Sequence, residues 1–253
     1  MADPIIHVPS RARLKRVHGG RDILYPFLEH GNTFDLSEWK DDFKGDTLHG
    51  GYQSTASGTG ALAAAISTGV VNGAILLDAG TDDAGRSDLS LGRHYRGDLN
   101  CVMWARANLN TIGSSKFEIG FTDVISGTDA GAVNVKATPS FTATDCVVLV
   151  RDTTDDTNLT LVGNANGTAA TAIDFTSVLA SNTYYYFGVA LRDGAAKGFL
   201  LDASGLLLEE TAWMASAVTA TVLLTPWLFV QNRSTGNRTL TVDYLTSYQR
   251  RTT

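Results

Sequence analysis

The sequence predicts an all-β chain folded as a single β-sandwich behind an extended N-terminal arm. Three observations carry this. Apolar residues recur at period two in run after run, Gly, Asp and Asn clusters separate the runs, and no stretch of ten or more residues carries a convincing helical stripe.

The runs are taken in order. Leu99, Cys101, Met103, Ala105 and Ala107 oppose Asn100, Val102, Trp104, Arg106 and Asn108. Phe117, Ile119 and Phe121 alternate with Lys116, Glu118, Gly120 and Thr122, the pattern of a strand with one buried face. Tyr185, Phe187, Val189 and Leu191 oppose Tyr184, Tyr186, Gly188 and Ala190. Near the C-terminus Leu240, Val242 and Tyr244 alternate with Thr239, Thr241 and Asp243, so Val242 and Tyr244 are expected in the core and Asp243 outside. Shorter runs at 51–57, 61–67, 70–78, 132–136, 146–151, 159–163, 198–202 and 226–231 read as further strands. Residues 212–224 fit either a short helix or a strand pair. Turn signals separate the runs at 80–85, 126–129, 152–158, 164–167 and 192–194. No linker divides the strands into two blocks, which gives an arm over 1–33 and one sandwich domain over 34–253, with first and last strands expected to pair.

The 253 residues carry a net charge of −6, with 43% hydrophobic and 18% charged residues, a globular and not a disordered composition. The charge is uneven. Arg11, Arg13, Lys15, Arg16 and Arg21 against Asp3 give residues 1–21 a balance of +4, which leaves −10 on the rest. Pro4, Pro9 and Pro26 keep this arm extended, and Ile5, Ile6 and Val8 give it an apolar stretch. A basic arm on an acidic body is suited to an acidic protein surface, which a neighbouring copy could supply; a solvated tail is the plainer reading. Nucleic acid is a poor fit, since the acidic body repels phosphate. No stretch approaches a membrane span and no signal-peptide core is visible, so synthesis in the cytosol and no membrane partner are expected. Cys101 and Cys146 fall at core-facing positions and read as small core residues, with a disulfide between them left open.

Trp39 with Phe43-Lys44-Gly45-Asp46-Thr47-Leu48, Phe117-Glu118-Ile119-Gly120-Phe121-Thr122-Asp123, Pro226-Trp227 through Val230-Gln231-Asn232, and Leu240-Thr241-Val242-Asp243-Tyr244 follow one another in a suggestive order. Together they resemble the concanavalin-like, laminin-G-type jelly roll of structural proteins of tailed bacteriophages, over roughly residues 34–250. The resemblance implies a capsid decoration or cement protein, made in the host cytoplasm and carried on the capsid surface. Its implied partners are the major capsid protein or other virion subunits, and copies of itself in a trimer or dimer. In that role the arm would anchor through Ile5, Ile6 and Val8 and clamp through Arg11, Arg13, Lys15 and Arg16. The alternative is a carbohydrate-binding module of a tail fibre or adhesin, with a surface glycan as ligand.

No catalytic chemistry is expected. A retaining glycosidase needs two carboxylates about 5–5.5 Å apart, hence two acids at i and i+2 or i+4 along a strand. Glu118 stands between Lys116 and Gly120 on an outward face, and the adjacent Glu209 and Glu210 point to opposite faces. No Gly-x-Ser-x-Gly elbow is present, and His7, His18, His30, His49 and His94 read as surface or interface residues. The chain is therefore expected not to be an enzyme and to hold no cofactor. Two acidic turns, Asp152 with Asp155, Asp156 and Asn158, and Asp78 with Asp82 and Asp83, carry oxygen donors but not the EF-hand spacing, and read as ordinary turns before calcium sites. Arg96-Gly97-Asp98 reads as a chance tripeptide in a turn. Trp104, Tyr184 and Tyr186, opposite the core residues of their strands, are expected to be exposed and to bind a partner, with cover by the chain itself or a sugar platform as alternatives.

Overall fold

A computed structural model describes residues 36–125 and 131–251. Among them every long element is a strand; the helical content is one turn of 3-10 helix at Gly97–Leu99. Sheet A holds β1 (Leu36–Asp41), β3 (Leu62–Ile66), β4 (Ile75–Asp78), β7 (Val102–Leu109), β15 (Tyr184–Arg192), β16 (Ala195–Leu201), β17 (Leu207–Glu210) and β19 (Thr239–Arg250). Its order is β17-β16-β15-β7-β19-β4-β3, with β1 beside the far half of β19. Sheet B holds β2 (Ala56–Ser57), β5 (Arg86–Ser90), β6 (Tyr95–Arg96), β8 (Ser115–Thr122), β11 (Cys146–Asp152), β12 (Thr160–Ala165), β13 (Thr168–Ala169), β14 (Ile173–Asp174) and β18 (Leu223–Asn232). It runs β13-β12-β11-β8-β18-β5-β2, with β14 on β12 and β6 on β18. A separate hairpin pairs β9 (Val133–Val135) with β10 (Ser140–Phe141).

All pairings are antiparallel, and the first and last strands pair as expected, Leu36 opposite Arg250. The core between the sheets is built from the alternating residues the sequence singled out: Met103, Ala105 and Ala107 on β7, Phe117, Ile119 and Phe121 on β8, Phe187, Val189 and Leu191 on β15. Burying these side chains is the main stabilising term of the fold.

The chain departs from the expected pattern in three places. On β19 a bulge between Val242 and Tyr244 absorbs Asp243, so Val242 stays in the core, Tyr244 moves to the outer face opposite Arg106, and Leu245 takes the next core position. Residues 212–224 form neither a helix nor a strand pair: they are loop apart from the Ala196–Met214 bridge and the first residues of β18. The outer face of sheet B, expected to meet water at Lys116 and Glu118, is buried beneath the β9–β10 hairpin. Cys146, Val148, Val150, Val162, Trp227 and Phe229 form a second apolar cluster there with Ala132, Val133 and Ala143. A run such as Cys146-Val147-Val148-Leu149-Val150, apolar at both parities, is the sequence mark of a strand covered on both faces.

Both cysteines are free and buried, in different clusters: Cys101 in the main core, Cys146 on the far side of sheet B. Burial raises the Cys101 thiol to about 12 and pushes the Cys146 thiol well up.

Candidate functional site

The three aromatics singled out in the sequence meet on the outer face of sheet A. Register sets Gly188 opposite Trp104, Tyr186 opposite Arg106 and Tyr184 opposite Asn108. Arg106 lies between the tyrosines and β19. Its guanidinium carbon is 4.2 Å from the Tyr184 ring centroid and 5.7 Å from that of Tyr186, and it pairs with the Asp243 carboxylate. Asp243 lies on this face by alternation from core-facing Val242, and the bulge that follows brings Tyr244 to it as well. Burial raises the Asp243 carboxyl above its ordinary range although the Arg106 charge opposes it, and burial followed by the Asp243 charge raises the Tyr184 phenol.

Tyr184 and Tyr186 are half-buried, but Trp104 is only 2% exposed, which corrects the expectation of an exposed indole. The reason is the bare backbone opposite it. A Cβ on Gly188 would lie 2.5 Å from the Trp104 ring, so the indole settles on the sheet and packs against Phe199 at 5.5 Å, within a cluster that includes Val102, Ala190 and Leu201. Around Arg106 four buried polar atoms lack a hydrogen-bond partner among the described residues: Trp104 Nε1, Asn108 Oδ1, Asp243 Oδ1 and Tyr244 Oη. Orphaned buried groups are rare, and four gather on this one sheet face. The other partner residues named from the sequence (Ile5, Ile6, Val8, Arg11, Arg13, Lys15 and Arg16) lie outside the described residues.

The outer face of sheet B carries a charged cluster that the sequence did not reveal. Lys116 and Glu118, both fully buried, form an ion pair at 3.0 Å. Glu118 also accepts the backbone N–H groups of Ala132 at 2.7 Å and Val133 at 3.1 Å and the Trp227 indole N–H at 2.9 Å, while Lys116 donates to the Val133 carbonyl. The pair therefore fastens the covering hairpin to the sheet. Across β18, Phe229 has Glu118 on one side and Asp88 on the other, so two carboxylates share this face two strand spacings apart, roughly 9–10 Å between backbones. Searching for acids along one strand misses such a cross-strand pair. Asp88 accepts the Thr55 N–H at 3.0 Å and the Thr55 hydroxyl at 2.5 Å.

The acidic turns act as turn acceptors. Asp152 binds Arg233, Asp155 takes the Lys136 N–H at 2.6 Å, Asp156 pairs with Lys136, Asp78 takes the Gly80 N–H at 2.8 Å and Asp82 the Thr59 N–H at 2.6 Å. No group of three or more His, Cys, Asp or Glu among the described residues is arranged to hold a metal ion. Arg96 of the Arg-Gly-Asp tripeptide pairs with its own Asp98.

The fold is that of a concanavalin-like jelly roll, as the solved structures it resembles make plain. A protein of unknown function from Shewanella oneidensis MR-1 matches with a TM-score of 0.58 and 11% identity over 85% of this chain and 87% of that one. The carbohydrate recognition domain of Emp47p matches with a TM-score of 0.55 and 11% identity over 88% of this chain and 100% of that one. A glycoside hydrolase family 16 endo-glucanase from Bacteroides ovatus matches with a TM-score of 0.52 and 7% identity over 82% of this chain and 98% of that one. No family model matches the sequence, and no curated protein matches it. These neighbours correct one expectation. Several are glycoside hydrolases, and this overturns the expectation, drawn from the missing carboxylate pair along a strand and the missing Gly-x-Ser-x-Gly elbow, that the chain is not an enzyme.

Proposed function

We propose that the chain is a virion structural protein, a capsid decoration or cement protein that binds and stabilises the assembled shell. The observation that carries this reading is the outer face of sheet A. There two half-buried tyrosines flank an arginine held by Asp243, and four orphaned polar atoms lie around it. Half-buried tyrosine and arginine side chains suit a protein partner, because they supply contact area and directional bonds together. The basic N-terminal segment adds charge attraction to an acidic shell surface. The major capsid protein is the partner this reading names, and the capsid surface the location, after synthesis in the host cytoplasm. Binding only to the assembled lattice would stabilise it by mass action.

The test is co-sedimentation with shells that lack the protein. The wild-type chain should pellet with shells. Tyr184→Ala with Tyr186→Ala should weaken binding at least about tenfold, or ~1.4 kcal/mol, and removal of residues 2–21 should abolish it. A wild-type chain that stays in the supernatant would overturn the reading. A second reading, a carbohydrate-binding module, is favoured by the neighbouring carbohydrate recognition domain and by the pairing of tyrosine rings with Arg106 and Asp243, which could stack and hydrogen-bond a glycan. Glycan binding that survives removal of residues 2–21 would support it.

A further inference from the structure

The apolar clusters on the outer faces of the two sheets are built differently. On sheet B the cluster takes in Ala132, Val133 and Ala143, which lie over the strands from outside the sheet. On sheet A every member stands on a strand of that sheet: Val102 and Trp104 on β7, Ala190 on β15, Phe199 and Leu201 on β16, with Tyr186, Leu207 and Tyr248 packed against them. Side chains on one face of a sheet stand side by side, so they shield each other's flanks and not their tops. Gly188 lets the Trp104 ring lie down on the sheet, which hides one face of the indole. The other face is hidden too, since Trp104 is 2% exposed, and Phe199 and Leu201 are 4% and 1% exposed. A further layer therefore lies on this cluster, and no described element outside sheet A belongs to it.

The ends of the described segments decide what supplies that layer. Residues 126–130 join Ile125, whose carbonyl accepts the Ser90 hydroxyl at 3.0 Å, to Gly131, where a Cβ would lie 2.5 Å from Glu118 Oε1, so both ends are at sheet B. Residues 252–253 are two threonines. Residues 1–35 lead into Leu36, on β1 of sheet A itself. Trp104 is two strand spacings and four residues from Leu36, roughly 17 Å, and Phe199 is four spacings away, roughly 23 Å. The chain from Leu28 to Leu36 reaches about 26 Å. Just before it the sequence reads Ile23-Leu24-Tyr25-Pro26-Phe27-Leu28. We propose that this run lies across the outer face of sheet A of its own chain and covers the Trp104–Phe199 cluster. Its apolar side chains match an apolar floor, and Pro26, which has no N–H to give to a ladder, suits a segment that crosses strands instead of joining them. The inference does not rest on the shell-binding reading, because the basic residues 2–21 are left over for a partner.

The test is fluorine NMR of the full chain labelled with 5-fluorotryptophan, the Trp104 signal being the one of four that Trp104→Phe removes. A solvent-exposed fluorine shifts between light and heavy water, and a covered one does not. In the wild type the Trp104 signal should be insensitive to the solvent. Leu24→Asp with Phe27→Asp would bury two charges if the run stayed in place, so the cover should lift. The Trp104 signal should then move and become solvent-sensitive, with an unchanged far-ultraviolet circular dichroism spectrum. Phe27→Ala, a milder change for the case in which the double variant does not fold, should move the signal in the same direction. Removal of residues 2–21, or Val71→Asp at an 84% exposed position in the β3–β4 turn, should leave it as in the wild type. A solvent-sensitive Trp104 in the wild type, or one that stays protected in both the double variant and Phe27→Ala, would overturn the proposal. Protection that is lost on dilution would assign the cover to a second copy and overturn it as well. Shell binding by the same variants is read separately, so failure of one assignment does not carry the other with it.

Discussion

Glu118→Ala should be among the most damaging single substitutions in the chain. The carboxylate is fully buried and receives four donors: Lys116 Nζ, the backbone N–H groups of Ala132 and Val133, and the Trp227 indole N–H. Removing it leaves a buried ammonium without its counter-ion. Breaking a buried pair in this way costs about 3–5 kcal/mol. The stranded donors add to this, at about 1 kcal/mol each where water cannot reach them. Against a typical stability of about 5–15 kcal/mol, the variant should be marginal or unfolded at 25 °C. Glu118→Gln keeps the shape and one acceptor oxygen, so it should fall between the two. The assay is urea unfolding followed by far-ultraviolet circular dichroism and tryptophan fluorescence, the latter reporting Trp227 beneath the hairpin. If Glu118→Ala unfolds within about 1 kcal/mol of wild type, the hairpin is not fastened through this carboxylate and the reasoning fails.

Two further outcomes follow from the same geometry. Burial tends to raise the Asp152 carboxyl, but the Arg233 hydrogen bonds and the Thr154 bonds outweigh it and hold it below its ordinary value. A depressed folded-state carboxyl contributes stability that is present above the unfolded value, near about 3.9, and lost as pH falls through the folded value. Asp152→Asn should therefore cost roughly 2 kcal/mol at pH 7 and flatten the acid limb of a thermal-melt series below about pH 4; an acid limb identical to wild type would refute it. Gly188→Ala would set a methyl group 2.5 Å from the Trp104 ring. It should lower stability by about 1–3 kcal/mol and change the near-ultraviolet circular dichroism of the indole, without altering the far-ultraviolet spectrum.

Much of the fold was legible because period-two alternation reports which side of a strand meets the core. Phe117, Ile119, Phe187 and Val189 all lie where that rule places them. The failures share a cause: alternation describes one strand and is blind to what arrives from elsewhere in the chain. It could not foresee that residues 131–143 would cover Glu118, nor that Asp243 would be absorbed in a bulge and carry Tyr244 outward. Trp104, Tyr184 and Tyr186 were legible as a group because they fall on the off-core parity of neighbouring strands. The pairing of Arg106 with Asp243 was not, although both were placed on the outward parity, since a cross-strand ion pair leaves no mark in local spacing. The Asp88–Glu118 arrangement was hidden in the same way.

The strand orders also say when the molecule can become whole. The central places are taken by the last two strands of the sandwich in chain order: β19 lies between β7 and β4 in one sheet, and β18 lies between β8 and β5 in the other. Until residue 223 and its successors emerge, β4 lacks its β19 neighbour and β5 its β18 neighbour, and each sheet exists as two separate halves. Such late, long-range closure is slow and leaves apolar strand edges uncovered meanwhile. A chain interrupted anywhere before β18 would not be a smaller sandwich. It would be two pairs of facing half-sheets without their keystones, and its fate during synthesis should be decided by whatever shields those edges in the interval.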